Sequence, residues 1–249
     1  MDNLMKAEWF KLKKDRSLWT LIIILTAVSL FYPLLIVFDD GADSIKVMDF
    51  YQNTILQGNN YVIRLVPCIL AGFFISSEYS IGTMKTIAAS GNSRFHLYFA
   101  KLIIYSIGTV LISLIFPVIF TGAASVALNF NGMPEFGYFI GTIGLTILYA
   151  IAFASMMALF ATIFTDSGKA IGFMLIFFII FDSALYLLSS VSPIFEVIFN
   201  YSVFKLFLDI VNYDTIHSAE MVKLIAVPVI TFTAFGILGS ILFYKKEIK

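Results

Sequence analysis

Six stretches of the chain stay apolar for about 20 residues each, the length a helix needs to cross a hydrocarbon core roughly 30 Å thick. They run from Leu18 to Phe38, Tyr61 to Ser77, Leu102 to Leu128, Tyr138 to Phe164, Ala170 to Ser190 and Lys223 to Tyr244. Runs such as LIIILTAVSLFYPLLIVF and FMLIFFIIF are apolar on every face, whereas strands of a membrane barrel alternate in polarity over segments of about 10 residues. A bilayer offers the backbone no hydrogen-bond partner, so apolar runs of this length fold as helices. With 60% hydrophobic and 13% charged residues, against about a quarter charged in soluble domains, no segment reads as a water-soluble domain. The expected fold class is all-α: a polytopic integral membrane protein with six transmembrane helices, residues 1–249 forming one domain. The second run is the weakest, being short and carrying Arg64. The first follows KLKKDR but is long enough to span and exits into DDG without a small-residue cleavage site, so it reads as a retained span rather than a signal sequence.

Orientation follows from Lys and Arg, because positive charge beside a span resists translocation while Asp and Glu matter little. Six spans put Lys6, Lys11, Lys13, Lys14, Arg16, Lys85, Arg94, Lys101, Lys169, Lys245, Lys246 and Lys249 on one set of ends and only Lys46, Arg64, Lys205 and Lys223 on the other. Both termini and the loop over 76–101 are therefore expected in the cytoplasm. The lone Cys68 lies in the second run and permits no intramolecular disulfide.

Residues 1–16 form a basic lead-in in which Met5, Trp9 and Leu12 share a helical face and Lys6, Lys13 and Lys14 lie away from it. Such a pattern suits an amphipathic helix in the headgroup plane, or lysines that only fix topology. The 76–101 loop, SSEYSIGTMKTIAASGNSRFHLYFAK, is more polar than a simple connection requires. Its helix-permissive part, Thr83 to Ser90, is bounded by Gly82 and by Gly91, a natural helix C-cap. Asn92 or Ser93 can cap the next helix, so the loop is expected to fold as turn, short helix, turn.

EYSIGTMK followed by GNSRFHLYFAK resembles the first cytoplasmic loop of type 2 ATP-binding-cassette (ABC) exporter permeases, and KAEWFKLKKDRSLW is similar to their basic lead-in. The residues that carry the likeness are Glu78, Tyr79, Gly82, Thr83, Lys85, Ser93, Arg94 and Lys101. In size and loop pattern the chain looks closest to short bacterial permeases of bacteriocin or lantibiotic immunity, bacitracin resistance and phenol-soluble modulin export. The resemblance implies that the short loop helix is a coupling helix, with Glu78, Tyr79, Gly82, Thr83, Lys85 and Arg94 serving the joint to an ABC ATPase subunit. It further implies two ATPase subunits that bind ATP and Mg, a second permease copy in a homodimer or heterodimer, a multi-pass cell-membrane location in a bacterium, and export of an amphipathic peptide, toxin, antibiotic or lipid-like molecule. Glu78 is expected to pair across the turn with Arg94 or Lys101, an edge contact of about 0.2–1 kcal/mol.

Catalytic chemistry is not legible in the chain. SGK at 167–169 lacks the upstream glycine of a phosphate-binding loop, His96 and His217 fall on opposite sides of the membrane, and no metal-ligand cluster or nucleophile motif occurs. ATP hydrolysis is expected in another chain, and neither a bound cofactor, a metal nor nucleic acid is expected here. Asp182 lies well inside the fifth run, where a lone charge costs about 2.5–3.5 kcal/mol on insertion scales. It reads as a pathway residue with Arg64 as partner, as a structural ion pair, or as a protonated, hydrogen-bonded acid; Arg64 is placed to snorkel outward unaided. Gly137 to Gly141 and Gly168 to Gly172 allow close helix approach within a subunit or across a dimer seam. Pro117 and Pro228 are expected to kink their helices. Within the external loop 191–222, SPIFEVIFNYSVFKLFLDI is too interrupted to span and reads as a re-entrant or interfacial segment. A membrane scaffold or sensor without a transport cycle, and an intramembrane enzyme, are the competing classes.

Overall fold

The computed structural model describes residues 2–40, 45–89 and 91–246. A short helix, α1 (Asp2–Lys14), leads into α2 (Arg16–Asp40). Asp15 makes the break between them, its carboxylate accepting from the Ser17 and Leu18 amides and so capping α2. The other spans are α3 (Val47–Ile81), α5 (Arg94–Ala127), α6 (Phe136–Ile163), α7 (Ser167–Ser189) and α10 (Ser218–Lys245). Between α3 and α5 stands the short α4 (Thr83–Ala89). Between α7 and α10 lie α8 (Pro193–Asn200) and α9 (Val203–Asp209), the latter continued by a 3-10 turn over Ile210–Thr215. The six helices are long and apolar enough to cross a membrane, and the molecule is an all-α, multi-pass membrane protein.

The helices divide into an inner and an outer set. In their most apolar windows 67% of residues are buried in α3 and α6 and 56% in α5, against 17% in α2 and α7 and 28% in α10. Tyr105, Tyr149 and Phe153 are buried at the centre of the inner set, where α6 packs on α5 and α10. The outer helices leave apolar faces such as Phe31, Leu35, Ile176 and Ile180 exposed, as helices facing lipid or another subunit must.

The second span is longer than hydropathy suggests: α3 begins at Val47, well before Tyr61. Gln52, Asn53, Asn59 and Asn60 hide its first turns from an apolar-run search, yet Tyr51, Ile55 and Asn59 are buried. Tyr51 bonds Thr142 of α6 at 2.8 Å. In α5, Pro117 sits in a π-helical turn, Phe116–Phe120, whose wider pitch accommodates the missing donor, and the Pro117 carbonyl accepts from Thr121 Oγ1. Pro228 lies inside the continuous α10. Of the paired small residues, Gly141 meets the Tyr213 ring while Gly137 and Gly172 face open space.

The segment between α7 and α10 holds one exposed and one buried helix. No residue of α8 is buried, as in an interfacial helix, whereas Val203, Phe204, Leu206 and Phe207 of α9 are buried. Phe204 and Phe207 stack edge-on against Phe153 and Tyr149 of α6. Asp43, Ser90 and Lys249 lie outside the described residues.

Candidate functional site

The two chain ends and the residues flanking α4 meet at one end of the bundle, the basic end. Ser167 at the start of α7 stands against Gly72, so the last nine or so residues of α3, roughly 13 Å of helix, project beyond α7 as a stalk. That stalk carries Glu78 and Tyr79.

Glu78 is buried, and it is the middle of a chain of charges. Its Oε1 accepts from Lys11 Nζ, and its Oε2 lies 2.6 Å from Lys101 Nζ, an ion-pair distance off the hydrogen-bonding direction. Lys101 Nζ in turn donates to Glu8 Oε1 at 2.5 Å. Lys11 also donates to the Phe74 carbonyl and stands 4.1 Å from the Phe74 ring centre. Three segments far apart in sequence, α1, the end of α3 and the start of α5, are thus joined by two carboxylates and two ammoniums whose charges sum to zero. The side chains of Glu8, Glu78 and Lys101 are 8%, 7% and 3% exposed, which takes the set out of the class of surface pairs. Burial, then the neighbouring Lys101, hold the Lys11 ammonium below the ordinary lysine range.

The sequence allowed Glu78 either Arg94 or Lys101; the structure selects Lys101, adds Lys11, and gives Arg94 to other partners. It also turns α1. The inward face carries Leu4, Met5, Glu8, Lys11 and Leu12, while Trp9 points outward at 36% exposure. Leu12 lies so close to Gly108 of α5 that a Cβ there would meet its Cδ1 at 3.1 Å and Leu70 at 2.9 Å, so a glycine is what lets α1 seat. Glu8 and Lys11 escaped the sequence reading because a charged residue is ordinarily assigned to the solvated face. The available signal was their helical spacing with Leu4 and Leu12.

Beyond the stalk the chain reverses at Gly82, whose φ of 82° is the left-handed region that an L side chain rarely adopts. The helix α4 follows, anchored by the fully buried Met84 and half-buried Ile87, with Thr83, Lys85 and Thr86 exposed. Gly91, φ 81°, lies past its end, and Ser93 caps α5 by accepting from the His96 amide. The expected turn, helix, turn is present.

A second clamp comes from the C-terminal end. Arg94 donates to the Tyr244 and Lys246 carbonyls at 2.8 and 2.9 Å. Lys246 Nζ lies 3.7 Å from the Tyr79 ring centre and donates to the Thr162, Ile163 and Phe164 carbonyls that end α6, the closest at 2.5 Å. An ammonium on open helix-terminal carbonyls is favourable on both hydrogen-bonding and dipole grounds. Burial brings its pKa down to about 8. Tyr79 and Arg94, one at each end of the α4 loop, therefore grip the chain's last described residues.

The other sequence candidates lie deeper. Asp182 is 15 residues into α7, about 22 Å from its start, and Arg64 Nη1 donates to its Oδ2 at 2.7 Å. Arg64 does not snorkel: its side chain is 5% exposed, Nε is held by the Asn60 carbonyl, and the guanidinium lies within 6 Å of the Tyr61 and Phe204 ring centres. Burying its aliphatic stem beneath α9 while pairing the charge is cheaper than leaving it in lipid. Asp182 is 24% exposed and opens on a groove of about 370 Å³ with Tyr186, Leu187, Phe199 and Leu208. The structure joins these two residues to each other and not to the basic-end cluster. Ser167–Lys169 opens α7 behind Asp166, whose carboxylate caps the Lys169 amide, an anion where a phosphate would have to sit.

A family model described as ABC-2 family transporter protein matches residues 4–183. No curated protein matches the chain.

Proposed function

We propose, for a chain that belongs to the ABC-2 transporter family, that it is the permease subunit of an ATP-driven exporter of amphipathic molecules. It works as a pair of permease copies with two separate ATPase subunits, which hold ATP and magnesium, and its basic end faces the cytoplasm of a bacterial cell. The observation that carries this reading is the mounting of α4. Its outward residues Thr83, Lys85 and Thr86 are exposed, while the supports beneath it are specific contacts: the buried Met84 in the core, the buried Glu78 to Lys11 and Lys101, and Tyr79 and Arg94 to the C-terminal end.

Such a mounting converts a push on α4 into displacement of whole helices. The stalk of α3 takes the load first. Through Glu78 it passes to α5 and α1, and through Lys246 to the ends of α6 and α10, so one docked surface moves most of the bundle as a packed body. Coupling between sites needs an element that both sites bias, and the charge set supplies contacts able to re-pair between two arrangements. The cargo reading is supported by the Asp182 groove, one carboxylate among Tyr186, Leu187, Phe199 and Leu208, which suits a molecule with apolar bulk and a cationic group.

Purification of the tagged chain from its native membrane tests the assembly. The expected result is co-isolation of an ABC ATPase and, after reconstitution, ATP-dependent efflux of a cationic amphipathic peptide. A stable preparation with no ATPase, or one that brings a sensor kinase instead, overturns the exporter reading.

A further inference from the structure

At the end of the bundle opposite α4, a cavity of about 290 Å³ lies between the α9 segment and the first turns of α10. Its polar wall is Lys205, Asp209, Asn212, Thr215, Glu220 and Lys223. The volume is at the lower limit of small-molecule pockets, roughly 300–1,000 Å³, and fits a headgroup or metabolite fragment.

The charges are arranged unusually. Lys205 and Asp209, one turn apart on α9, pair at 2.5 Å. Glu220 and Lys223 have the same opportunity at i, i+3 on α10, yet they form no ion pair. Lys223 instead lies with its ammonium 4.4 Å from the Tyr201 ring centre, and Glu220 is exposed. The cavity thus has two cations and two anions, with one of each sign left without an ionic partner among the described residues. An anionic ligand would meet Asp209 and Glu220; a cation would meet Lys205 and Lys223. A ligand bearing both signs satisfies both free groups.

We propose that this cavity binds a zwitterion carrying a phosphate and a primary ammonium, presented as the headgroup of an ethanolamine phospholipid. Lys223 takes the phosphate, and Glu220 accepts from the ammonium. A choline headgroup supplies the charges but no N–H to donate, so the site discriminates by hydrogen bonding. The lipid source follows from position: Lys223 stands at the start of the apolar run of α10, and α8 beside it exposes Ile194, Val197 and Ile198 with Tyr201 at its end, the composition of a segment lying at the headgroup boundary. This inference stands apart from the transport reading.

Full-length protein stripped of lipid in detergent, then titrated with phosphatidylethanolamine, phosphatidylcholine, phosphatidylglycerol or soluble O-phosphoethanolamine and counted by native mass spectrometry, tests it. Phosphatidylethanolamine is expected to bind about tenfold tighter than the other two lipids, and Lys223→Gln and Glu220→Gln are each expected to remove about that factor, the loss of one charge-assisted hydrogen bond. Lys13→Gln, far from the cavity, is the control, and unchanged melting temperatures show that the variants fold. Equal affinity for the three lipids, or full binding by both variants, overturns the proposal. Tight binding of O-phosphoethanolamine without any lipid preference overturns the lipid source.

Discussion

Among the described residues, two ion-pair systems lie largely inside the protein, and they are built differently. At the basic end, Glu8, Lys11, Glu78 and Lys101 form a neutral set that ties three segments remote in sequence, and only Lys11 has substantial access to solvent, at 31%. Deep in the bundle, Arg64 and Asp182 form a single pair between α3 and α7, closed on the arginine side and open at Asp182 to a groove. A multiply connected set whose central members are buried cannot lose Lys101 without leaving Glu8 unpaired and Glu78 with Lys11 alone. An open pair can exchange its partner for water or a ligand. The first arrangement suits transmission of force, the second contact with something that passes.

The contrast is broken most directly by Lys101→Met. Glu8 and Glu78 then lose their shared cation inside the protein, and removing one partner of a buried pair costs about 3–5 kcal/mol. The expected outcome is a large fall in melting temperature and in accumulation in the membrane. Replacing Glu8, Lys11, Glu78 and Lys101 together by Gln, Met, Gln and Met should recover most of the stability, since neutral replacements escape the desolvation cost, while cargo-stimulated ATP hydrolysis stays low. The outcome for Glu78 differs from what an edge contact would give: treated as exposed it contributes little, but buried between two lysines its removal destabilises.

Asp182→Asn should have a smaller structural effect, about 1–3 kcal/mol for a weakened bond to a charged group, because Arg64 keeps the Asn60 carbonyl and two aromatic rings. Efflux should fall several-fold with ATPase association intact; efflux equal to wild type would make the pair purely structural. Lys246→Ala should cost less stability still, since the ammonium is only half-buried, yet uncouple hydrolysis from cargo, with Lys246→Arg restoring part of the coupling. Smallest in stability is Lys85→Ala, an exposed change within about 0.5 kcal/mol, expected to weaken ATPase binding in a pull-down.

The fold was largely legible because six apolar runs leave little freedom, and Gly82 and Gly91 bracket α4 by backbone conformation alone. What the sequence concealed was burial of polar residues. Asn59 and Asn60 disguise the first half of α3, and Glu8 and Lys11 read as solvated until α5 and the stalk of α3 are placed against them. The role of Lys246 was hidden for the same reason: a terminal lysine reads as a topology signal, and its three carbonyl acceptors belong to a helix end some 80 positions earlier. Hydropathy reports the solvent a residue prefers; these residues are placed by partners distant in sequence.

That α4 is the docking surface is tested most directly by site-specific photo-cross-linking in native membranes, with a short-range probe replacing Thr86 in one strain and Tyr186 in another. The expected result is an adduct between the Thr86 probe and an ABC ATPase subunit, and none from Tyr186. Absence of an ATPase adduct at Thr86 in an efflux-competent strain, or equal adducts from both positions, would contradict the account.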